Sequence, residues 1–376
     1  MKRIKYIYSA VLCSLLVFAS CDKDAVEIPD TGDKVPITLS ASSLPVSVDL
    51  ETRASSNSGG IQTRAETISG RSIGVVGVNT DKTTALSVVN WSNYYLNHVR
   101  ANGTNNNVNS EKEVAFTTTQ WWPFNPAEYV AFVAYSPHNS GDSRVVRASD
   151  TNNILKVTAD ATNSFPDFVY TTPVGPWNKE DAKVATDKTK SLGVFQHAMA
   201  KLDIKVILVD KNGNPLAEGL YPDPNRLRIT ELKVSTVRMG GSFDLLASPN
   251  TWILDGATTE TVVRTHISSS TTLTHNLPTY TGCYLLPVTE EESHVSITLQ
   301  ELDATTNTPI HTINRKAKVS EFEVSSGVGA KLEMGKTTLL TIKVKYVPIP
   351  DPKVDIILEG QLIEWDYKGE STVTIE

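Results

Sequence analysis

Hydrophobic and polar positions alternate with period two along most of the chain. Val35, Ile37, Leu39 and Ala41 fall on one side of an extended segment, with Pro36, Thr38 and Ser40 on the other. Leu44, Val46, Val48 and Leu50 repeat the pattern. Period two belongs to a half-buried strand, because successive side chains leave opposite faces of the pleat. Pro36 and Pro45 have no amide donor for a ladder, so both segments are expected at a sheet edge. Further strands are predicted at 72–78, 113–118, 129–135, 154–159 and 167–171. A second series follows Phe195, at 200–209, 228–237, 241–246, 280–286, 295–302, 310–319 and 337–347. The polar stretches 102–110 and 173–189 read as loops. Asp210-Lys211-Asn212-Gly213-Asn214 reads as a hairpin turn, since Asn-Gly accepts positive φ. Long helical periodicity is absent, and the spacing predicts two β-sandwiches in series, residues 35–192 and 193–376.

The end of the chain behaves like its beginning. Val354, Ile356, Leu358 and Leu362 alternate with Asp355, Glu359 and Gln361, and a short strand, Thr372–Ile375, follows. A terminal strand either completes its own sheet or joins another molecule. Between the first two strands and the rest runs a flexible polar loop, 51–65, containing two copies of Thr-Arg-Ala centred on Arg53 and Arg64. Exposed loops of this composition are where proteases cut.

Composition sharpens this reading. The 42 threonines favour half-buried strands over helix interiors. Met1-Lys2-Arg3-Ile4-Lys5 is a basic start, and the apolar run from Ile7 to Phe18 is too short to span a bilayer core of roughly 30 Å as a helix. Residues 1–20 therefore read as a secretory leader. The small residues Ala19-Ser20 before Cys21 resemble a bacterial lipobox, which makes Cys21 the lipid site and 21–34 a polar tether. The alternative is an ordinary secretory signal with an incidental cysteine. The formal charge is −7, and since the leader holds three of the cations, a chain starting at Cys21 carries −10. That sign disfavours nucleic acid and anionic membrane surfaces as partners. Cys13 leaves with the leader and Cys21 takes lipid, so Cys283 is left without a disulfide partner, in an apolar strand where a thiol stays protonated.

No catalytic or metal constellation emerges, and no cofactor is expected. The seven histidines are scattered, and His197 reads as structural. Gly335-Lys336-Thr337 imitates the end of a phosphate loop, but Ala330 stands where that motif needs glycine and a strand follows. Asp210, Asn212 and Asn214 lack the distal Glu of a calcium loop. Trp121-Trp122-Pro123-Phe124 either plugs a core or stacks on sugar rings. A clustered, exposed platform of Trp121, Trp122 and another aromatic would support a lipid-anchored glycan-binding lipoprotein of a carbohydrate uptake system; burial of both tryptophans would oppose it.

Several weak motifs in order carry a resemblance. The lipobox, the Ile-Thr-Leu-Ser strand, the Thr-Arg-Ala loop, Ile73-Gly74-Val75-Val76, Trp121-Trp122-Pro123 and Tyr129 to Pro137 are similar to the fimbrillin family. Phe195 to Leu202, Leu285-Leu286-Pro287 and Glu333-Met334-Gly335-Lys336 continue the match. The resemblance implies an all-β protein of two transthyretin-like or Ig-like sandwich domains following a lipoprotein signal peptide. It further implies a non-enzymatic fimbrial subunit, carried to the cell outer membrane through lipid on Cys21 and displayed at the cell surface. An arginine-specific protease would cut at Arg53, with Arg64 as the alternate, and remove the segment 35–53 bearing Val35, Ile37, Leu39 and Ala41. A strand from another subunit would fill the groove, with Val354, Ile356, Leu358 and Leu362 of the segment 354–376 as the donor. A chain left uncut keeps its lipid and anchors a fibre.

Overall fold

A computed structural model gives the structure of this chain. It describes residues 34–347, except 43–46, 49–62, 65–67, 150–151, 161–164, 185, 211, 217–225, 274–276, 278, 304 and 326, together with 353–364. For 47–48, 63–64, 346–347, 353–358 and 361–364 it describes the backbone alone. The protein is all-β. In the N-terminal half the main strands are β1 (Thr38–Ser42), β2 (Ser72–Thr80), β3 (Tyr94–Val108), β4 (Glu111–Phe116), β5 (Tyr129–Ser136), β6 (Ile154–Thr158) and β7 (Thr189–Val194). The C-terminal half contributes β8 (Ala200–Val209), β9 (Leu227–Thr236), β10 (Gly240–Asp244), β11 (Tyr280–Leu285) and β12 (Ser293–Leu302). It ends with β13 (Pro309–Lys318), β14 (Lys336–Val347) and β15 (Lys353–Glu364).

A nine-stranded sheet runs β7-β1-β4-β3-β2-β5 and continues through Val169–Tyr170 to Gln196–His197, and its ninth strand, Val174–Trp177, pairs with β5 off that path. Val76, Val78, Ala131 and Val133 from β2 and β5 share a buried core with Leu155, Val157 and Phe243. Those last residues belong to a four-stranded sheet ordered Trp252–Leu254, β10, β6, Val145–Arg147. This second layer takes two strands from each side of residue 192, with Phe243 opposite Leu155. The C-terminal sandwich packs a six-stranded sheet, β11-β8-β14-β15 followed by Glu323–Ser325 and Val328–Gly329, on a five-stranded sheet. Leu202, Ile204, Leu340 and Ile342 of the first meet Ile229, Val234, Val295 and Ile297 of the second in one core. These residues alternate along their strands, as two facing sheets require. Pro36–Glu376 form one unit, separate from Met1–Val35.

Three local expectations are corrected. The stretch 102–110 is no loop: β3 continues to Val108 and turns into β4 through Asn109 and Ser110, whose φ values are 51° and 69°. Its polar side chains mark a solvent-facing strand, where Thr104 and Asn106 both donate to Glu113. The stretch 173–189 holds a strand at Val174–Trp177 and a short helix, Lys179–Lys183. Asn178 and Asp181 cap that helix reciprocally, each side chain accepting the other's backbone N–H. Most important, β1 is not at an edge. It pairs with β7 in parallel and with β4 antiparallel. Pro36 makes no difficulty, because it sits before β1 in an isolated bridge to Trp121, and the next amide, on Ile37, donates to Gln120.

Candidate functional site

The site that the sequence singles out is the place occupied by β1. Ile37 is 4% exposed and Leu39 and Ala41 are fully buried, so the predicted apolar side faces inward, while Val35 is half-buried. On each flank β1 is held by backbone ladders: Leu39 aligns with Lys190 of β7 and with Val114 of β4. Yet it is the first strand of its sheet in sequence, so nothing upstream within the sheet must move for it to leave lengthwise.

Its polar side is also engaged. Ser40 Oγ donates to Glu111 Oε2 at 2.5 Å, and Ser42 Oγ donates to Glu111 Oε1 at 3.0 Å. Ser191 Oγ on β7 donates to Glu111 Oε1 at 2.7 Å. One carboxylate on β4 thus ties together three strands, and Ser40 is 1% exposed although it points away from Leu39. Thr38 Oγ1 donates to the Lys188 carbonyl at 2.9 Å. Alternation reveals which residues of β1 face the core, but no sequence signal links Ser40 to a glutamate seventy-one positions away.

The backbone of Thr63–Arg64 forms a two-residue antiparallel ladder with Ser47–Val48, and Arg53 lies outside the described residues, as does Cys21. At the other end of the chain, β15 pairs with β14 over twelve successive positions, from Lys336 opposite Glu364 to Val347 opposite Lys353. The backbones of Val354, Ile356, Leu358 and Leu362 are therefore paired with a strand of the same chain. A Cβ on Gly360 would lie 2.9 Å from Ala330 Cβ and 3.2 Å from the Phe322 carbonyl oxygen, so β15 also approaches that segment closely.

The remaining candidates take structural places. Cys283 is fully buried, and burial pushes its thiol up to about 12. His197 is buried, and its contact with the Asp167 carboxylate fixes it within the sheet. Gly335, at φ 71°, turns the chain into β14. At the Asp210 turn, Gly213 has φ 85° and Asp210 Oδ1 accepts from the amides of Asn212 and Asn214. Among the described residues no group of three or more His, Cys, Asp or Glu is placed to hold a metal. The tryptophans divide: Trp122 is 3% exposed and packs edge-on against Phe132, whereas Trp121 is 42% exposed. They share no platform. No helix among the described residues is long and apolar enough to cross a membrane.

Comparison with known proteins adds the family. The profile of the fimbrillin-like family matches residues 52–365. The chain belongs to the fimbrillin-like family. No curated protein matches it. Among solved structures, a candidate cell adhesion protein from Bacteroides uniformis is 15% identical, covering 88% of this chain and 98% of its own, with a TM-score of 0.49. A second, from Parabacteroides distasonis, is 12% identical over 90% of this chain and 99% of its own, at 0.41. A fimbrial assembly protein from the same organism is 10% identical over 88% and 98%, at 0.35. The fimbrillin profile begins at residue 52, so β1 lies upstream of the matched region.

Proposed function

We propose that this fimbrillin-like chain is a structural or accessory subunit of a cell-surface fimbria, joined to its neighbours by exchange of β1 for a strand of another subunit. The observation that supports this reading most directly is the place of β1: first in the sheet by sequence, second in it by hydrogen bonding. Removing an edge strand exposes one unpaired ladder. Removing β1 exposes two, on β4 and β7, and empties the space of Ile37, Leu39 and Ala41. Burial of each large apolar side chain is worth roughly 1.5–3 kcal/mol, so the opened slot strongly favours refilling. A strand from a second molecule restores both the ladders and the burial. Insertion that repeats head to tail does not close, and builds a filament.

The order of segments suits this use. Cys21 precedes β1, and Arg53 and Arg64 follow it. A single cut by an arginine-specific protease therefore frees the strand and severs the lipid anchor together. Export as a lipoprotein precursor to the outer membrane precedes that step, and the C-terminal segment 354–376 supplies the donor. Fimbrial subunits are the partners, and the chain acts without catalysis.

Limited digestion of the purified precursor with an arginine-specific protease tests the proposal. The expected result is clipping at Arg53 or Arg64 followed by SDS-resistant ladders, which deletion of 354–376 abolishes. A chain that clips and stays monomeric at high concentration overturns it, and ladders that survive the deletion overturn a C-terminal donor.

A further inference from the structure

The hydroxyls of β1 form a regular series. Thr38, Ser40 and Ser42 occupy the side opposite Ile37, Leu39 and Ala41, and each donates to an oxygen of a neighbouring segment. Two of the three bonds end on Glu111, whose carboxylate also accepts from Ser191. Glu113 lies directly across the ladder from Ser40, so a second acid stands on the same side of β4. An ionised carboxylate can accept hydrogen bonds but cannot donate one. A hydroxyl in front of it gives a charge-assisted bond, worth more than a neutral pair. An acid in front of it sets like charges together where Ser40 is 1% exposed and water is scarce.

We infer that Glu111 is the specificity determinant of the slot: it admits strands with hydroxyls at the places of Ser40 and Ser42, rejects strands with acids there, and thereby selects Thr372–Ile375 of a second copy over Val354–Leu362. The inference rests on the strand-exchange reading and names the segment that enters. In Thr372-Val373-Thr374-Ile375 two hydroxyls stand two residues apart, with apolar residues between and beyond. Laid opposite in direction to β1, Thr372 takes the place of Ser42, Val373 of Ala41, Thr374 of Ser40 and Ile375 of Leu39. Glu376 then falls at the exposed place of Thr38, away from Glu111.

Val354–Leu362 matches the slot on its apolar side alone. The other side reads Asp355, Ile357, Glu359, Gln361, and every pair of neighbours on it brings an acid against Glu111. That segment is also already paired with β14 in its own chain, register intact over twelve positions. The two C-terminal segments thus divide the work: β15 completes the home sheet, and Thr372–Ile375, which lies outside the described residues, enters the neighbour.

The test uses the full-length chain after clipping with an arginine-specific protease. Three unlabelled peptides, 34–43, 353–364 and 368–376, compete by fluorescence polarisation for the slot against a labelled 34–43 peptide. The 368–376 peptide is expected to bind at least ten-fold more tightly than 353–364. Thr374→Glu in that peptide should lose at least ten-fold, and the Glu111→Gln chain should recover most of the loss. If labelled 34–43 does not bind at all, the slot is not replaceable, and strand exchange fails together with this inference. If 34–43 binds but 368–376 is no better than 353–364, or Thr374→Glu changes nothing, exchange stands and selection by Glu111 is overturned.

Discussion

His197 Nδ1 lies 2.8 Å from Asp167 Oδ1, while Arg71 donates to the other oxygen of the same carboxylate. Arg71 stands at the start of β2, Asp167 just before Val169–Tyr170, and His197 in the last strand of the nine-stranded sheet. The carboxylate therefore ties that strand to β2 from within, and the charges of its two partners hold it at about 2 against the opposing effect of burial.

A carboxyl depressed in the folded state stabilises the fold above its unfolded pKa and ceases to do so as pH falls through the folded value. For Asp167 the window runs from about pH 4 down to about pH 2, with a contribution on the order of 2 kcal/mol above it. Asp167→Asn should lower stability by roughly 1.5–3 kcal/mol at pH 7, since it removes the charge-assisted bond that Arg71 donates to the carboxylate. In denaturant titrations the gap between wild type and variant should stay constant from pH 7 to 5 and narrow below pH 4. A gap that does not narrow would show that the carboxylate contributes through shape alone.

His98 predicts the opposite end of the acid range. It sits in β3 at φ 52°, buried, with Nδ1 3.2 Å from the Tyr135 hydroxyl. Burial, then the charge of Arg147, lowers it to about 3; a hydrogen bond with Asn153 opposes the shift and His138 adds to it slightly. The unfolded chain takes up a proton near pH 6.5 that the folded chain refuses, so stability falls with pH between about 6.5 and 3, by up to about 1.4 kcal/mol per pH unit. His98→Asn keeps a residue that tolerates positive φ and removes the titration. Relative to wild type, the variant should gain roughly 2 kcal/mol between pH 6.5 and 4.5. Parallel stability curves would refute this.

The faces of strands were legible and their neighbours were not. Ile37, Leu39 and Ala41 announce a buried side because burial leaves a period-two mark. Nothing comparable marks which strand lies alongside, and so Pro36 suggested an edge although β1 is flanked on both sides. Phe243 and Leu155 meet across the boundary drawn at residue 192 for the same reason: pairing distant in sequence leaves no local trace. Asn102–Val108 was hidden because its polar residues satisfy solvent and Glu113 rather than a core. Family membership was readable from the order of loose motifs, whereas the link from Glu111 to Ser40, Ser42 and Ser191 needed the fold.

Gly360 makes a prediction about the C-terminal hairpin. An added Cβ would crowd Ala330 Cβ and the Phe322 carbonyl, and backbone cannot yield as a side-chain tip does. Gly360→Val should cost roughly 1–3 kcal/mol through overpacking and loosen β15 before the rest of the sandwich. Hydrogen exchange should quicken in 353–364 and in the paired amides of β14, with the β9 and β12 ladder unchanged. Adding Ala330→Gly should restore part of the protection; no restoration would place the strain elsewhere.

The two sides of β1 should be separable by how fast the strand escapes once clipped. Leu39 is fully buried, and Leu→Ala in a core typically costs about 2–5 kcal/mol, so Leu39→Ala should speed release of the clipped segment by roughly thirty-fold or more. Ser40→Ala removes one hydroxyl from a carboxylate that keeps Ser42 and Ser191, and about 1–2 kcal/mol predicts a rise nearer ten-fold. Thr38, exposed and bonded to a carbonyl, should matter least. Release followed by mass spectrometry after arginine-specific cleavage reads all three. The expected order is Leu39→Ala fastest, then Ser40→Ala, then Thr38→Ala. Equal rates would mean that neither burial nor Glu111 retains the strand, and that the ladders to β4 and β7 hold it alone.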